Sequence, residues 1–91
     1  MTERDDDARR RLVNRLKRAR GQLDAVVAAV EEDASCRDVL TQLAAVTHAL
    51  NRAGFVIVAE AMEECIAAPD AAETRDGLTT TELQKLFLSF A

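Results

Sequence analysis

The segment from Cys36 to Ala67 contains no proline and a single glycine, Gly54. Because proline and glycine are the residues that most often end or weaken a helix, this segment predicts one uninterrupted helix of about 30 residues. Such a helix is about 45 Å long, which exceeds the diameter expected of a compact domain of this size. The chain therefore has to build its fold around one helix that is long for its 91 residues.

A first helix is predicted over about residues 8–32, after an acidic run that suits a helix N-terminus. Apolar residues recur in it at spacings of three and four, which predicts a buried seam. This seam consists of Leu12, Leu16, Ala19, Leu23, Val26 and Val30. A break is expected at residues 33–35, with Ser35 capping the long helix.

A third, short helix is expected near the end of the chain. Pro69 ends the long helix, and residues 70–77 read as a polar loop. Thr79 then has the sequence context of an N-cap, with Glu82 three residues later. The apolar face of the helix would comprise Leu83, Leu86, Phe87 and Phe90. The sequence thus predicts an all-α protomer of three helices in a single domain over residues 1–91.

Composition excludes several other classes. Aromatic residues make up 3% of the chain, so it lacks the rings that base-stacking platforms need. No stretch is long and apolar enough to predict a membrane span, and the polar N-terminus does not resemble a secretory signal. Two cysteines are too few for a disulfide scaffold. We therefore expect a cytoplasmic protein without a membrane partner.

Charge is concentrated in one segment of the chain. Residues 8–21 contain seven Arg and Lys residues and no acid, although the whole chain has a formal net charge of −4. Because fields act over a Debye length of about 10 Å, this segment can bind phosphate despite the overall charge. Arg11, Arg15, Arg18 and Gln22 share a spacing that places them along the edge of the seam. The alternative is a solvated helix face whose arginine stems cover apolar neighbours.

Two long helices and a short one bury only part of their apolar surface in a single chain. An antiparallel four-helix dimer is the simplest closed solution, and a monomeric three-helix bundle is the alternative. Cys36 and Cys65 lie about eight helical turns apart, on nearly the same face of the long helix. Their separation of about 43 Å along one helix excludes a disulfide within the chain. If two long helices pair antiparallel with their centre between Leu50 and Asn51, Cys36 faces Cys65 of the partner subunit. Two cysteines that merely pack remain the alternative.

Four segments carry a resemblance to a known family. They are residues 14–23 (NRLKRARGQL), residues 31–46 (EEDASCRDVLTQLAAV), residues 49–54 (ALNRAG) and Cys65. Together they resemble the copper-sensitive operon repressor family of small helical bacterial repressors, over about residues 8–67. The resemblance implies a homodimer that pairs again into a homotetramer and binds operator double-stranded DNA. The DNA contacts it implies are Arg11, Arg15, Lys17, Arg18, Gln22 and Arg52. It also implies an inducer site between Cys36 of one chain and the end of the long helix of the other.

The chain departs from the copper-sensing members at two positions. Those members carry a histidine four residues before the second cysteine, where this chain has Ala61, and commonly a tyrosine before the first, where it has Ser35. His48 is the only histidine, and it lies about 18 Å from Cys36 along the helix. A pair of cysteines without the histidine is similar to the persulfide-sensing branch, the sulfurtransferase-operon repressors.

The sequence therefore predicts a repressor released when persulfide or polysulfide crosslinks Cys36 to Cys65 of the partner subunit, with no metal and no cofactor. The alternative is a Cu(I)-responsive repressor in which the two thiolates bind the metal. An enzyme is not expected, because neither cysteine has an activating histidine nearby. A helical adaptor that offers its basic face to an acidic partner is a further alternative.

Overall fold

The computed structural model describes residues 3–67 and 77–91, with side chains from Asp6 onward in the first helix. Three helices make up almost all of this part of the chain: α1 (Glu3–Glu31), α2 (Cys36–Ala67) and α3 (Thr80–Ser89). The all-α class and the order of the three helices agree with the sequence prediction. The polar loop expected after Pro69 lies outside the described residues, except for Gly77.

Helix α1 begins earlier than the sequence predicted. Its first residue is Glu3 instead of a position near Ala8, so the prediction was wrong by about five residues at this end. Acidic side chains near a helix N-terminus interact favourably with the helix dipole, and here they extend the helix instead of preceding it. The exposed Asp7 lies three residues before Arg10, and their charged atoms are 3.8 Å apart. The acidic run and the basic segment therefore belong to one helix.

The predicted break between α1 and α2 is confirmed, and its geometry is that of a Schellman motif. Asp33 has a φ of 58°, in the left-handed region. Its N–H donates to the Val30 carbonyl at 3.1 Å, and the Ala34 N–H donates to the Ala29 carbonyl at 2.9 Å. These two bonds satisfy carbonyl groups that the end of α1 would otherwise leave unpaired.

Both predicted helix caps are confirmed. Ser35 lies one residue before α2 begins, and its hydroxyl accepts a hydrogen bond from the Asp38 N–H at 3.2 Å. The Thr79 hydroxyl accepts one from the Glu82 N–H at 3.1 Å at the start of α3. Each hydroxyl satisfies one of the N–H groups that a helix N-terminus leaves free.

The chain divides into two compact units, each described by itself. The N-terminal unit (Met1–Ala53) contains α1 and the first part of α2, and the C-terminal unit (Gly54–Ala91) contains the rest of α2 and α3. Whether the two form a single domain, as the sequence predicts, stays a prediction.

The buried face of the N-terminal unit differs from the predicted seam. Ala19, Val26 and Ala29 are buried on α1, and Val46 and Ala53 on α2. Three residues of the predicted seam are exposed instead: Leu16 by 41%, Leu23 by 44% and Val30 by 61%. Helix α1 thus has two apolar faces, and the sequence pattern merged them into one.

The second apolar face of α1 is uncovered. It comprises Val13, Leu16, Leu23, Val27 and Val30, and α2 adds the exposed Leu40, Leu43 and Leu50 in the same unit. Rows of exposed leucine and valine at helical spacing are typical of surfaces that pair with another helix. They support the self-association expected from the sequence, and the oligomeric state stays a prediction.

The C-terminal unit is organised around α3. Leu83 is its most buried side chain, with 1% of its surface exposed, and Val58 of α2 is also buried. The Phe55 ring packs edge to face against Phe87 and Phe90, with centroid distances of 5.1 Å and 6.4 Å. Leu86 and Phe87, which were expected on the packed face, are 40% and 48% exposed. No helix in the described part of the chain is long and apolar enough to cross a membrane.

Candidate functional site

The basic residues predicted to contact DNA all lie in the N-terminal unit. Arg11, Arg15 and Arg18 are exposed and follow one another at spacings of four and three, so they share one side of α1. Lys17 is also exposed, but it precedes Arg18 by one residue and points about 100° away around the helix axis. Helix α1 therefore presents cations over a broad sector and not along a single narrow stripe.

Arg52 is the predicted contact on α2, and it is exposed. It lies in the last turn of the part of α2 that belongs to the N-terminal unit. It is followed directly by Ala53, which is 2% exposed. The backbone at Arg52 is thus anchored in the unit, while the guanidinium remains available to an anion.

Gln22 differs from the other predicted contacts. It is half-buried, and its side-chain carbonyl oxygen is inaccessible and has no hydrogen-bond partner. The sequence placed Gln22 on a polar edge beside the seam, but the structure places it between the buried Ala19 and Val26. Its role as a DNA contact stays a prediction, and in this conformation its carbonyl oxygen faces the interior of the unit.

The two candidate sensor thiols lie near opposite ends of α2. Cys36 is its first residue and is exposed, and Cys65 lies in its last turn and is half-buried. Both are free cysteines. Because Cys36 belongs to the N-terminal unit and Cys65 to the C-terminal unit, their meeting across two chains stays a prediction.

Few other potential ligands accompany the thiols. The position one turn before Cys65 is the half-buried Ala61, which offers no donor atom. The hydroxyl of Ser35, beside Cys36, is engaged as the cap of α2. Within residues 3–67 and 77–91 there is no group of three or more His, Cys, Asp and Glu side chains that could hold a metal ion.

His48 lies twelve residues after Cys36 on α2, about 18 Å along the helix, as expected. It is exposed and lines a shallow groove on α2 together with Leu40, Leu43, Ala44, Thr47 and Asn51. Most of this groove is apolar, and two of its leucines belong to the uncovered surface of the N-terminal unit. His48 is thus placed beside the surface expected to self-associate.

The sequence analysis did not single out Gln42, which has the second buried carbonyl oxygen without a partner. The pattern held a signal for it, because Val39, Gln42 and Val46 follow one another at spacings of three and four. A polar residue at an apolar position of a helical repeat indicates a buried polar group.

The comparison with protein families decides the affiliation of the chain. A family profile described as "Metal-sensitive transcriptional repressor" matches residues 8–89, which is nearly the whole sequence. The chain belongs to this metal-sensitive transcriptional repressor family. The family consists of repressors and not of enzymes, as the sequence predicted.

This chain has curated relatives in several bacteria. It is 45% identical over 62 residues to the copper-sensing transcriptional repressor CsoR of Mycobacterium ulcerans, covering 68% of this chain and 53% of the relative. It is 34% identical over 80 residues to the copper-sensing transcriptional repressor CsoR of Bacillus subtilis, covering 87% and 77%. The chain spans about half the length of the mycobacterial relatives it matches. No solved structure matches the chain.

Proposed function

We propose that the chain is a repressor that binds operator DNA through the N-terminal unit and releases it when an inducer engages Cys36 and Cys65. The observation that carries this proposal is the cluster of exposed cations on α1, in a chain that belongs to a repressor family. Phosphate contacts from Arg and Lys supply most of the affinity of such an interface. The same cations also fit a helical adaptor with an acidic partner. This interpretation is weaker, because the family consists of transcriptional repressors.

The proposed DNA contacts fall at one level of the N-terminal unit. Arg15 lies sixteen residues before the end of α1, and Arg52 lies sixteen residues after the start of α2. If the two helices run back along each other from the turn at residues 32–35, Arg15 and Arg52 lie at the same level, about 24 Å from the turn. Arg11 and Arg18 extend the patch along α1. Two or four copies of the chain would present such patches together to one duplex.

Cu(I) is the inducer that we propose first. The curated relatives are named copper-sensing, which favours the copper alternative of the sequence analysis over its persulfide interpretation. The residues present fit Cu(I), because both cysteines are free and soft thiolates are the ligands that this ion prefers. Cys36 of one subunit and Cys65 of the partner subunit would hold the ion. The bound ion would tie the start of one α2 to the end of the other.

A persulfide or polysulfide is the second candidate, and Ala61 is the observation that favours it. Residue 61, one turn before Cys65, offers no imidazole to a metal, and the described residues hold no group of three or more His, Cys, Asp and Glu side chains that could bind one. In this case the Cys36 thiolate attacks a polysulfide sulfur, the S–S bond breaks, and a polysulfide shorter by one sulfur leaves. The thiolate of Cys65 of the partner subunit then attacks the Sγ atom of Cys36, the bond from this atom to the outer sulfur breaks, and hydrosulfide leaves as the interchain disulfide forms.

Either inducer releases DNA only if it binds the two shapes of the assembly with different affinity. A link between Cys36 and Cys65 of the partner subunit fixes the two α2 helices relative to each other. Because Arg52 lies on the same helix as both thiols, such a link constrains where this cation is placed. The proposal is that the linked shape holds the basic patches away from the phosphates.

One experiment separates the two inducers. The reduced protein is bound to labelled duplex DNA from upstream of its own gene, and release is followed by fluorescence anisotropy. Cu(I) is titrated without oxygen against a coloured chelator, and polysulfide is added in a parallel sample followed by intact mass under non-reducing conditions. Copper as the inducer predicts release at an unchanged covalent mass. Polysulfide as the inducer predicts a covalent dimer joined through Cys36 and Cys65.

The cysteine variants test the site itself. Cys36→Ser and Cys65→Ser should each abolish release, and an equal mixture of the two should restore part of it, because mixed dimers regain one intact pair. Lys85→Ala, at an exposed position of α3, is the control and should respond like the natural chain. If neither inducer releases DNA from the natural chain, the proposed response is wrong. If the natural chain does not bind this DNA, the proposed repressor function is wrong.

A further inference from the structure

Two glutamines in the N-terminal unit have buried side-chain oxygens that make no hydrogen bond. The side-chain carbonyl oxygens of Gln22 on α1 and Gln42 on α2 are both inaccessible and both lack a hydrogen-bond donor. Buried carbonyl oxygens in folded proteins nearly always have a partner, so each exception calls for an explanation. Two exceptions in one small unit, one on each of its helices, point to a shared cause.

The two amides lie on the faces that the helices bury. Gln22 lies three residues after Ala19 and four before Val26, and both of these neighbours are buried. Gln42 lies four residues before the buried Val46. Residues at these spacings share one side of a helix, so each amide belongs to the packed side of its own helix.

The two amides also lie at similar distances from the turn. Gln22 precedes the end of α1 by nine residues, and Gln42 follows the start of α2 by six. These separations correspond to about 13 Å and about 9 Å along the two helix axes. If the helices run back along each other from the turn, the amides are within one helical turn of the same level, which two glutamine side chains can span.

Stability alone does not account for the pair. A leucine of similar volume would fill each position without a carbonyl oxygen to satisfy, and such a replacement is neutral or stabilising when the polar group was unpaired. A carboxamide carries two N–H donors as well as its acceptor. Two facing amides can therefore satisfy both oxygens at once, each donating to the other, after a small change in the relative placement of the helices.

We infer that Gln22 and Gln42 are positioning residues that form a two-state amide pair between the DNA-binding helix and the cysteine-bearing helix. The inference rests on the proposed function. The pair is open in the chain described here, and it closes when DNA holds α1 in its binding position. Gln22 lies one turn after Arg18 on the same helix, so the shift that closes the pair also moves the basic face. Gln22 acts through this pair and not through contact with DNA.

The test is a double-mutant cycle on DNA affinity and thermal stability. Gln22→Leu, Gln42→Leu and the double variant are compared with the natural chain by anisotropy on DNA from upstream of its own gene. Gln84→Leu on α3 is the matched control, because Gln84 is an exposed glutamine of the C-terminal unit. We expect each single variant to bind DNA about 5- to 10-fold more weakly, and the double variant to bind no more weakly than either single one. We expect Tm to rise in all three by about 4 °C or more, since a buried unpaired oxygen is removed.

Weaker binding together with a higher Tm is a combination that damage to packing does not produce. If Gln22→Leu weakens binding and Gln42→Leu does not, Gln22 contacts DNA and the pair is overturned. If neither single variant changes DNA affinity, the positioning role is overturned. If the natural chain does not bind the DNA at all, the proposed function fails, and the stability cycle still tests the pair. A lower Tm in either single variant would then show that its amide oxygen is already satisfied in the free chain, and the pair would be overturned.

Discussion

Gly54 of α2 lies directly against the ring of Phe90, so closely that a β-carbon on residue 54 would approach three ring carbons to within 2.5–2.7 Å. Phe90 caps the C-terminal end of α3, and its ring also meets Phe55 edge to face. The absence of a side chain at one position of α2 thus allows α3 to pack against it. This contact explains why a glycine is kept in the interior of a long helix, where it lowers helix stability by about 1 kcal/mol.

Gly54→Ala should destabilise the C-terminal unit. The added β-carbon displaces the Phe90 ring and with it the edge-to-face contact to Phe55. The cost of overpacking, about 1–3 kcal/mol, exceeds the roughly 1 kcal/mol gained in helix propensity. We expect a lower free energy of unfolding by urea, with the aromatic ring signals of Phe90 shifted in the NMR spectrum.

Gly21→Ala is the matched control, since no atom lies within 4 Å of a β-carbon built there. Both glycines are interior to long helices, so both substitutions gain the same helix propensity. Gly21→Ala should therefore raise the free energy of unfolding by about 0.5–1 kcal/mol. Equal effects of the two substitutions would mean that Phe90 does not pack on Gly54.

Local signals in the sequence predicted the two helix caps and the break between α1 and α2. The caps at Ser35 and Thr79 depend on side chains that bond within three residues, so they are present in the sequence itself. The same is true of the uninterrupted α2. The start of α1 was missed because acidic residues are favourable both just before a helix and in its first turn.

The buried face of α1 could not be predicted from periodicity. Two apolar faces lie next to each other on this helix, and a spacing of three and four fits residues from both. Only the packing of the unit shows that Ala19 and Ala29 are buried while Leu16 and Leu23 are exposed. Ala19 and Ala29 lie on the buried face of α1, and the larger Leu16 and Leu23 lie on its uncovered face.

The candidate site was predicted in part. The thiols at the two ends of α2 and the exposed cations of α1 follow from helical spacing alone. The buried state of Gln22 does not, because a glutamine on the edge of a helix is exposed or buried according to what packs beside it. Residue type alone therefore does not predict whether Gln22 faces solvent.

Asp33→Gly should stabilise the N-terminal unit. Asp33 adopts a φ of 58° at the end of α1, a conformation that glycine reaches without the steric cost of a β-carbon. Its carboxylate also lies at the negative end of the helix dipole. We expect a gain of about 0.5–1 kcal/mol in the free energy of unfolding, measured by urea denaturation. Asp33→Ala removes the same charge but keeps the β-carbon, and it should be less stable than the glycine variant.

Replacing Arg15 and Arg18 together by alanine should weaken DNA binding and reduce its dependence on salt. Each phosphate contact contributes about 0.9 to the slope of log affinity against log salt concentration, so the slope should fall by about 1.8. Fluorescence anisotropy over a range of salt concentrations measures this slope. Lys85→Ala removes an exposed cation from α3 and should leave the slope unchanged. An unchanged slope in the double arginine variant would place the DNA interface elsewhere.

Ala61→His should increase the affinity for Cu(I) by tenfold or more. Residue 61 lies four positions before Cys65 on α2, so both side chains face the same side of the helix, and an imidazole there adds a nitrogen ligand beside the thiolate. Competition with a coloured Cu(I) chelator measures the affinity, and DNA release measures the response. Ala61→Asn, which is of similar bulk but lacks the imidazole, is the control. If Ala61→His binds Cu(I) no more tightly than Ala61→Asn, then residue 61 does not face the thiol site, and the absence of histidine there has no bearing on which inducer the protein detects.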